Sequence, residues 1–353
     1  MKTIPVAFAF ALSLSAAASA QTTYEITELG PANCVASGVN DYSDVVGQCD
    51  AVATAWEGDV ATSLGTLSGG TYSTALSSNS GKVAVGHGDA GDGRPRAELY
   101  RHGTVIDIDP SAANAYAIRI NDAGAIVGNY LKGFGGCNNW VAVIWTEEGG
   151  KRGRFRRTEL QPYPGGNGKV RCESATAANQ GVQVVGWVQN SVFGQMGAFW
   201  NNDAKHTLSL LRPLPGDWSS LAWGVNDLGQ AVGQSHPAFS SRPVLWDGDL
   251  AHTAVALPLL PGDNYGVASA INNLGHILGF SAYGVPGTWD IGPSRFVIWR
   301  DGGVFELQSL LDPVSGDGWT ITSVSAINNL GQIVGFGSHN GQPTSFLMTP
   351  VAP

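Results

Sequence analysis

An all-β chain closed as a seven-bladed propeller, each blade four antiparallel strands, is predicted by three features of the sequence. An Asn and a Gly recur seven residues apart at seven places. Each copy leads into an apolar run ending in a large side chain, and in most copies a leucine-rich run follows. The last copy lacks that final run, and a strand-like segment near the N-terminus has no repeat of its own.

The Asn/Gly pairs are Asn40/Gly47, Asn79/Gly86, Asn121/Gly128, Asn179/Gly186, Asn226/Gly233, Asn272/Gly279 and Asn328/Gly335. A small residue stands four positions before each Asn: Ala36, Ala75, Ala117, Ala175, Ala222, Ala268 and Val324. In four copies the turn reads Asn-Asp-Ala-Gly, Asn-Asp-Leu-Gly or Asn-Asn-Leu-Gly. Asn at the first position of a type I turn bonds its own backbone, and Gly at the fourth takes a positive φ. Together they make a three-residue hairpin connection between strands A and B.

Strand C ends at Trp56, Tyr100, Trp145, Trp200, Trp246, Trp299 and Met348. Strand D is a run such as Leu208 to Leu214 or Phe305 to Leu311. The motif glycines lie from 39 residues apart (Gly47 to Gly86) to 58 apart (Gly128 to Gly186). Four strands with variable loops fit that spacing. No long stretch shows helical periodicity. The repeats run over 34–70, 71–113, 114–170, 171–218, 219–265, 266–318 and 319–350 of a single domain, 21–353, with an additional N-terminal strand at 23–30. Seating that strand beside strand C of the last repeat completes its blade and removes an open edge. A β-solenoid is the competing repeat architecture, and it needs no such complementarity.

Residues 1–20 read as a secretory signal peptide: Lys2, an apolar run from Ile4 to Leu14, and Ala18-Ser19-Ala20 before the cut. The run is too short to span a bilayer. A secreted or periplasmic protein, cleaved near Ala20 and with no membrane insertion, is expected. The charge of −9 and scattered basic residues argue against nucleic acid as a partner. The basic run from Lys151 to Arg157 is interrupted by Gly153 and reads as a solvated hairpin tip. Motifs for a serine nucleophile, a zinc protease, a nucleotide loop or a dinucleotide fold are missing, and no cofactor is expected. Asp89, Asp92, Asp107 and Asp109 are dense but lack the spacing of a calcium loop, and no Cys/His pair has zinc spacing, so no metal is expected either.

The segment Ala326-Ile327-Asn328-Asn329-Leu330-Gly331-Gln332-Ile333-Val334-Gly335, with runs such as Gly197-Ala198-Phe199-Trp200, resembles the HAF family of extracellular repeat proteins, over roughly residues 34–349. The resemblance implies bacterial export and a propeller. It implies no defined activity and carries no catalytic residues. Some relatives end in a sorting tail; Phe346 to Pro350 shows none, so release rather than anchoring is expected.

The B–C and D–A connections share one face of such a ring and vary in length, so binding is expected there. Gly216-Asp217-Trp218, Gly262-Asp263-Asn264-Tyr265 and Gly316-Asp317-Gly318-Trp319 recur in D–A loops, with Gly70-Thr71-Tyr72 a reduced version. Asp217, Asp263 and Asp317 with Trp218, Tyr265 and Trp319 are candidate sugar contacts; alternatively each Asp caps its turn and each aromatic wedges between blades. Residues that break the repeat are further candidates. Arg119 is the one large charge among Gly38, Ser77, Arg119, Ala177, Gly224, Ala270 and Ala326, two positions before each Asn. Trp223 stands where other repeats have Ser, Thr, Leu or Ile, and Glu173 is a lone acid opening strand A of repeat four. A monomer that binds a glycan or an extracellular protein is the expected function; a carbohydrate-active hydrolase or lyase using carboxylates at the channel mouth is the alternative.

Two disulfides are expected. If the first turn has two residues, as the Ser at 43 permits, Cys34 and Cys49 lie directly opposite, with Cα atoms about 5.5 Å apart. A bulged turn slips the register by one and demands a compensating distortion. Cys137 and Cys172 belong to long loops at the same mouth of adjacent blades and form the second expected bridge.

Overall fold

The computed structural model describes residues 22–30, 33–133, 139–149, 152–163, 172–190 and 194–351. They form seven four-stranded antiparallel sheets. Six are sequential meanders, spanning 34–65, 73–107, 115–159, 173–211, 219–256 and 265–306. The A strands of adjacent blades touch one another and so are innermost. A turn of 3₁₀ helix, Leu307–Leu310, follows the sixth blade. The expected signal peptide, 1–20, lies outside the described residues.

The seventh blade is closed as the termini predict. Strand β1 (Thr23–Glu28) pairs antiparallel with the last strand (Gln342–Val351), with Tyr24 opposite Pro350 and Glu28 opposite Phe346. Tyr24, Ile26 and Leu29 are buried. Their burial, roughly 1.5–3 kcal/mol per large side chain, fastens the ring.

The core lies between blades. Trp56, Tyr100, Trp145, Trp200, Trp246, Trp299 and Met348 are all buried, each opposite the first residue of its blade's strand B. This common register position makes strand C the wedge that fills the gap to the neighbouring sheet.

All seven A–B turns have one conformation. The fourth turn residue has positive φ whether it is Gly124, Gly229, Gly275 and Gly331 or Ser43, Lys82 and Val182. In each, the Asn Oδ1 accepts the backbone N–H four residues on. The same Asn then reaches sideways. Its Nδ2 donates to the backbone carbonyl of the next blade's Asn, at 2.8–3.4 Å, from Asn40 round to Asn328 and back to Asn40. The seven amides make a closed belt.

The Gly seven residues after each Asn has a different cause. Every strand A carries a β-bulge after its small residue, as between Ala36 and Gly38 or Ala117 and Arg119. The bulge drives a strand A carbonyl toward strand B. A Cβ on Gly47 or Gly128 would lie 1.9 Å from such an oxygen. Only glycine fits.

The first disulfide forms, but by another route than a two-residue turn. The Asn40 turn is three-residue like the rest, with Val39 opposite Val45, and Ser43 takes φ 66°. The bulge at Ser37 cancels the slip. Cys34 and Cys49 are therefore directly opposite, 4.1 Å apart at Cα, and bonded. Cys172 is also in a disulfide; Cys137, its expected partner, lies outside the described residues.

Candidate functional site

The two faces of the ring differ in what they hold. On the B–C and D–A face, aromatic rings run across blades two to four. Tyr72 precedes strand A of blade two, and His87 sits near the end of its strand B (Ala84–Asp89). Their ring centroids are 5.9 Å apart. His87 meets Tyr116 edge-on at 4.8 Å, and Tyr116 meets Trp140 at 5.4 Å. Tyr116 is the second residue of Ala115–Ile120, and Trp140 opens Trp140–Glu147.

Two adjoining cavities share Tyr116. One, about 380 Å³, is lined by Tyr72, His87, Asp89 and Pro95. The other, about 220 Å³, is lined by Trp140, Trp187, Asn129, Glu173 and Ser174. Asp89 accepts the backbone N–H groups of Thr71 and Tyr72, and these bonds hold its carboxyl below the usual range. It is an anion at neutral pH. Burial lowers the His87 imidazole to about 4, so the ring is neutral there. Beneath the first cavity Glu98 is fully buried, accepts a hydrogen bond from the Tyr100 hydroxyl, and is pushed up to about 7 by desolvation. Glu173 is buried at the start of Glu173–Ala178. Asn129 is spent on the joint to blade four, donating to the Ala175 carbonyl and accepting its N–H. The groove thus offers ring faces with an acidic side chain lining each cavity, a surface suited to flat apolar groups bearing hydroxyls.

The aspartates of the D–A loops occupy blade joints. Asp217 accepts the Ser235 hydroxyl and pairs with Arg242 at 2.5 Å. Asp263 repeats this with Ser281 and Arg295, the ion pair at 2.8 Å. Ser235 and Ser281 in turn accept the N–H of Leu214 and Leu260. Asp317 is exposed. Trp218 is exposed, Tyr265 stacks on Phe280, and Trp319 is buried against His339 with nearly parallel rings 4.8 Å apart. Of these candidates the structure brings Glu173 alone to the aromatic groove.

Arg119 and Trp223 lie elsewhere, at the axial channel, where both line a cavity of about 140 Å³. An outer chamber of about 180 Å³ opens toward the A–B turns, and Arg119 lines it too.

Sequence reasoning missed Tyr116, Trp140 and Trp187, because each belongs to a different strand with no shared motif. Tyr72 was visible only as part of the reduced Gly70-Thr71-Tyr72 copy.

The chain is a β-propeller, and solved propellers match it in fold. The β-propeller domain of the Trilobed protease from Pyrococcus furiosus, described as having an open velcro topology, is 11% identical with a TM-score of 0.54, over 94% of this chain and 98% of that one. A Pyrococcus horikoshii acylaminoacyl peptidase is 11% identical with a TM-score of 0.52 over 94% of this chain but 52% of that chain, so this protein spans about half its length. A catalytically inactive variant of virginiamycin B lyase from Staphylococcus aureus is 10% identical with a TM-score of 0.50, over 94% and 100%. No protein-family model matches the sequence, and no curated protein does. Likeness at these identities shows the fold alone. Among the described residues no helix is long and apolar enough to cross a membrane.

Proposed function

We propose that this is an exported propeller of the HAF repeat type that binds a saccharide chain along the aromatic run of blades two to four. The observation that supports this is the unbroken contact series Tyr72, His87, Tyr116 and Trp140 across two adjoining cavities. Sugar rings present an apolar face to an aromatic ring and hydroxyls to carboxylates, and Asp89 and Glu173 stand one in each cavity. The Cys34–Cys49 bridge fits an oxidising compartment, which supports export after cleavage near Ala20. The chain acts as a monomer, and its partner is a glycan, free or carried on an extracellular protein.

A glycan array followed by calorimetry tests the reading. The wild-type protein should retain a subset of oligosaccharides, and Trp140→Ala should weaken them about tenfold or more while leaving the melting temperature unchanged. Affinity unaltered in both Trp140→Ala and Tyr116→Ala would sink it. Release of shortened products during incubation would turn the reading toward a hydrolase or lyase using Asp89 and Glu173.

A further inference from the structure

The axial channel holds a cation without an anion. Arg119 lies on the innermost strand of blade three, immediately after the bulge. The six equivalent positions are Gly38, Ser77, Ala177, Gly224, Ala270 and Ala326. Their small side chains leave the axis open, and the one long side chain enters the space. Among the described residues the single hydrogen bond of its guanidinium runs from Nη1 to the Leu76 carbonyl, at 3.5 Å, and no acid pairs with it. Desolvation lowers its pKa.

Three carboxylates line the outer chamber beside it, but each is already bound. Asp122 accepts the Ser80 N–H and the Gln180 amide. Asp227 accepts the Gln180 N–H and the Asn273 amide. Asp41 accepts both the N–H and the amide of Asn329. These bonds hold the acids at the turn rim, linking one blade to the next.

The wall of the inner cavity includes a residue with a second unmet donor. Trp223 is the bulged residue of strand Ser219–Val225, and its indole Nε1 is buried with no hydrogen-bond partner. The remaining wall is aliphatic, from Val39, Val225, Ile271 and Ile327 among others, save Ser269, whose hydroxyl donates to the Leu278 carbonyl. A guanidinium withdrawn from water beside an apolar wall is unfavourable until an anion pairs with it. An unsatisfied indole N–H adds to that demand.

We propose that the axial channel is a binding site for a small carboxylate, held by the Arg119 guanidinium with the Trp223 indole N–H as a second donor. The guanidinium fork matches a carboxylate with two parallel hydrogen bonds. The cavity of about 140 Å³ accommodates a ligand the size of acetate with little water left over. The acidic rim disfavours multiply charged anions, which selects for a monoanion.

Saturation-transfer NMR with acetate, in a buffer free of other carboxylates, tests the site. The wild-type protein should give an acetate signal. Arg119→Met should abolish it and melt no lower than wild type, because it removes an uncompensated cation. Trp223→Phe keeps the ring and removes the donor, and should weaken acetate about tenfold. Trp218→Phe, an exposed tryptophan elsewhere, should change nothing. No acetate signal from the wild type, or an undiminished signal from Arg119→Met or Trp223→Phe, overturns the proposal.

Discussion

On the turn face of the ring, seven copies of one hydrogen-bonded turn stand side by side, although three of them lack the expected glycine. On the loop face the connections differ from blade to blade in length and composition. The turn face repeats because each Asn serves two blades at once, its own turn and the next blade's carbonyl. The loop face is free to vary because no group there must meet its copy in the neighbouring repeat. Structure is carried where the chain repeats, and the aromatic groove lies where it does not.

The harshest way to break this contrast is to open the ring. A chain lacking residues 22–30 loses the strand that buries Tyr24, Ile26 and Leu29, a loss of roughly 5–9 kcal/mol. Both faces should fail together in thermal unfolding; an unchanged melting temperature would show that closure contributes nothing.

A smaller change separates the faces. Asn226→Ala strips the acceptor from the Leu228 and Gln230 N–H groups and the donor from the Asn272 carbonyl. About 3 kcal/mol of stability should go, read by denaturant unfolding, with glycan affinity retained at temperatures where the fold persists. Trp140→Ala should do the reverse. A stability loss in Trp140→Ala equal to that in Asn226→Ala would erase the distinction.

Acidity offers a third route, through Glu98 beneath the loop face. Burial raises its carboxyl from 4.5 to about 7. The folded chain therefore holds this proton where the unfolded chain has released it. The associated stability is fully present below pH 4.5 and is lost as pH rises through about 7. Glu98→Gln should flatten that part of the stability profile, by at most about 3 kcal/mol. Parallel wild-type and variant profiles between those values would contradict the assignment.

The mildest test strengthens the turn face. Val182 is β-branched and holds φ 59°, where the other turns place Gly, Ser or Lys. Val182→Gly should raise stability by about 1 kcal/mol, since the belt already enforces this conformation. A decrease would mean that the Val182 side chain packs better than its backbone is strained.

Much of the scaffold was legible because it repeats. The Asn/Gly spacing located every blade, and the run from Tyr24 to Leu29 announced the strand that the last repeat lacks. The bulge was not legible: Ser37, Leu76, Ile118, Thr176, Trp223, Ser269 and Ser325 share no chemistry common to all seven, and what places them is the carbonyl that Gly47 and its counterparts admit. For this reason a two-residue turn looked necessary for Cys34 and Cys49. The structural role of Asp217 and Asp263 left a trace that went unused, since Ser241-Arg242 and Ser294-Arg295 both open strand C. The groove left almost none. Its rings come from three blades: Tyr116 meets Trp140 within its own sheet, and only the packing of one blade on the next brings it to His87.

The Asn belt also bears on how such a chain can grow. Every amide donates in the same rotational sense, so each repeat carries one half of a joint on each side. A repeat copied in tandem by gene duplication arrives with both halves and needs no new partner invented for it. Between blades seven and one the joint is the same as between any other two, although 288 residues of chain separate Asn40 from Asn328. Insertion of a whole repeat is therefore tolerated by this contact at any position, whereas loss of a fragment leaves an amide facing nothing.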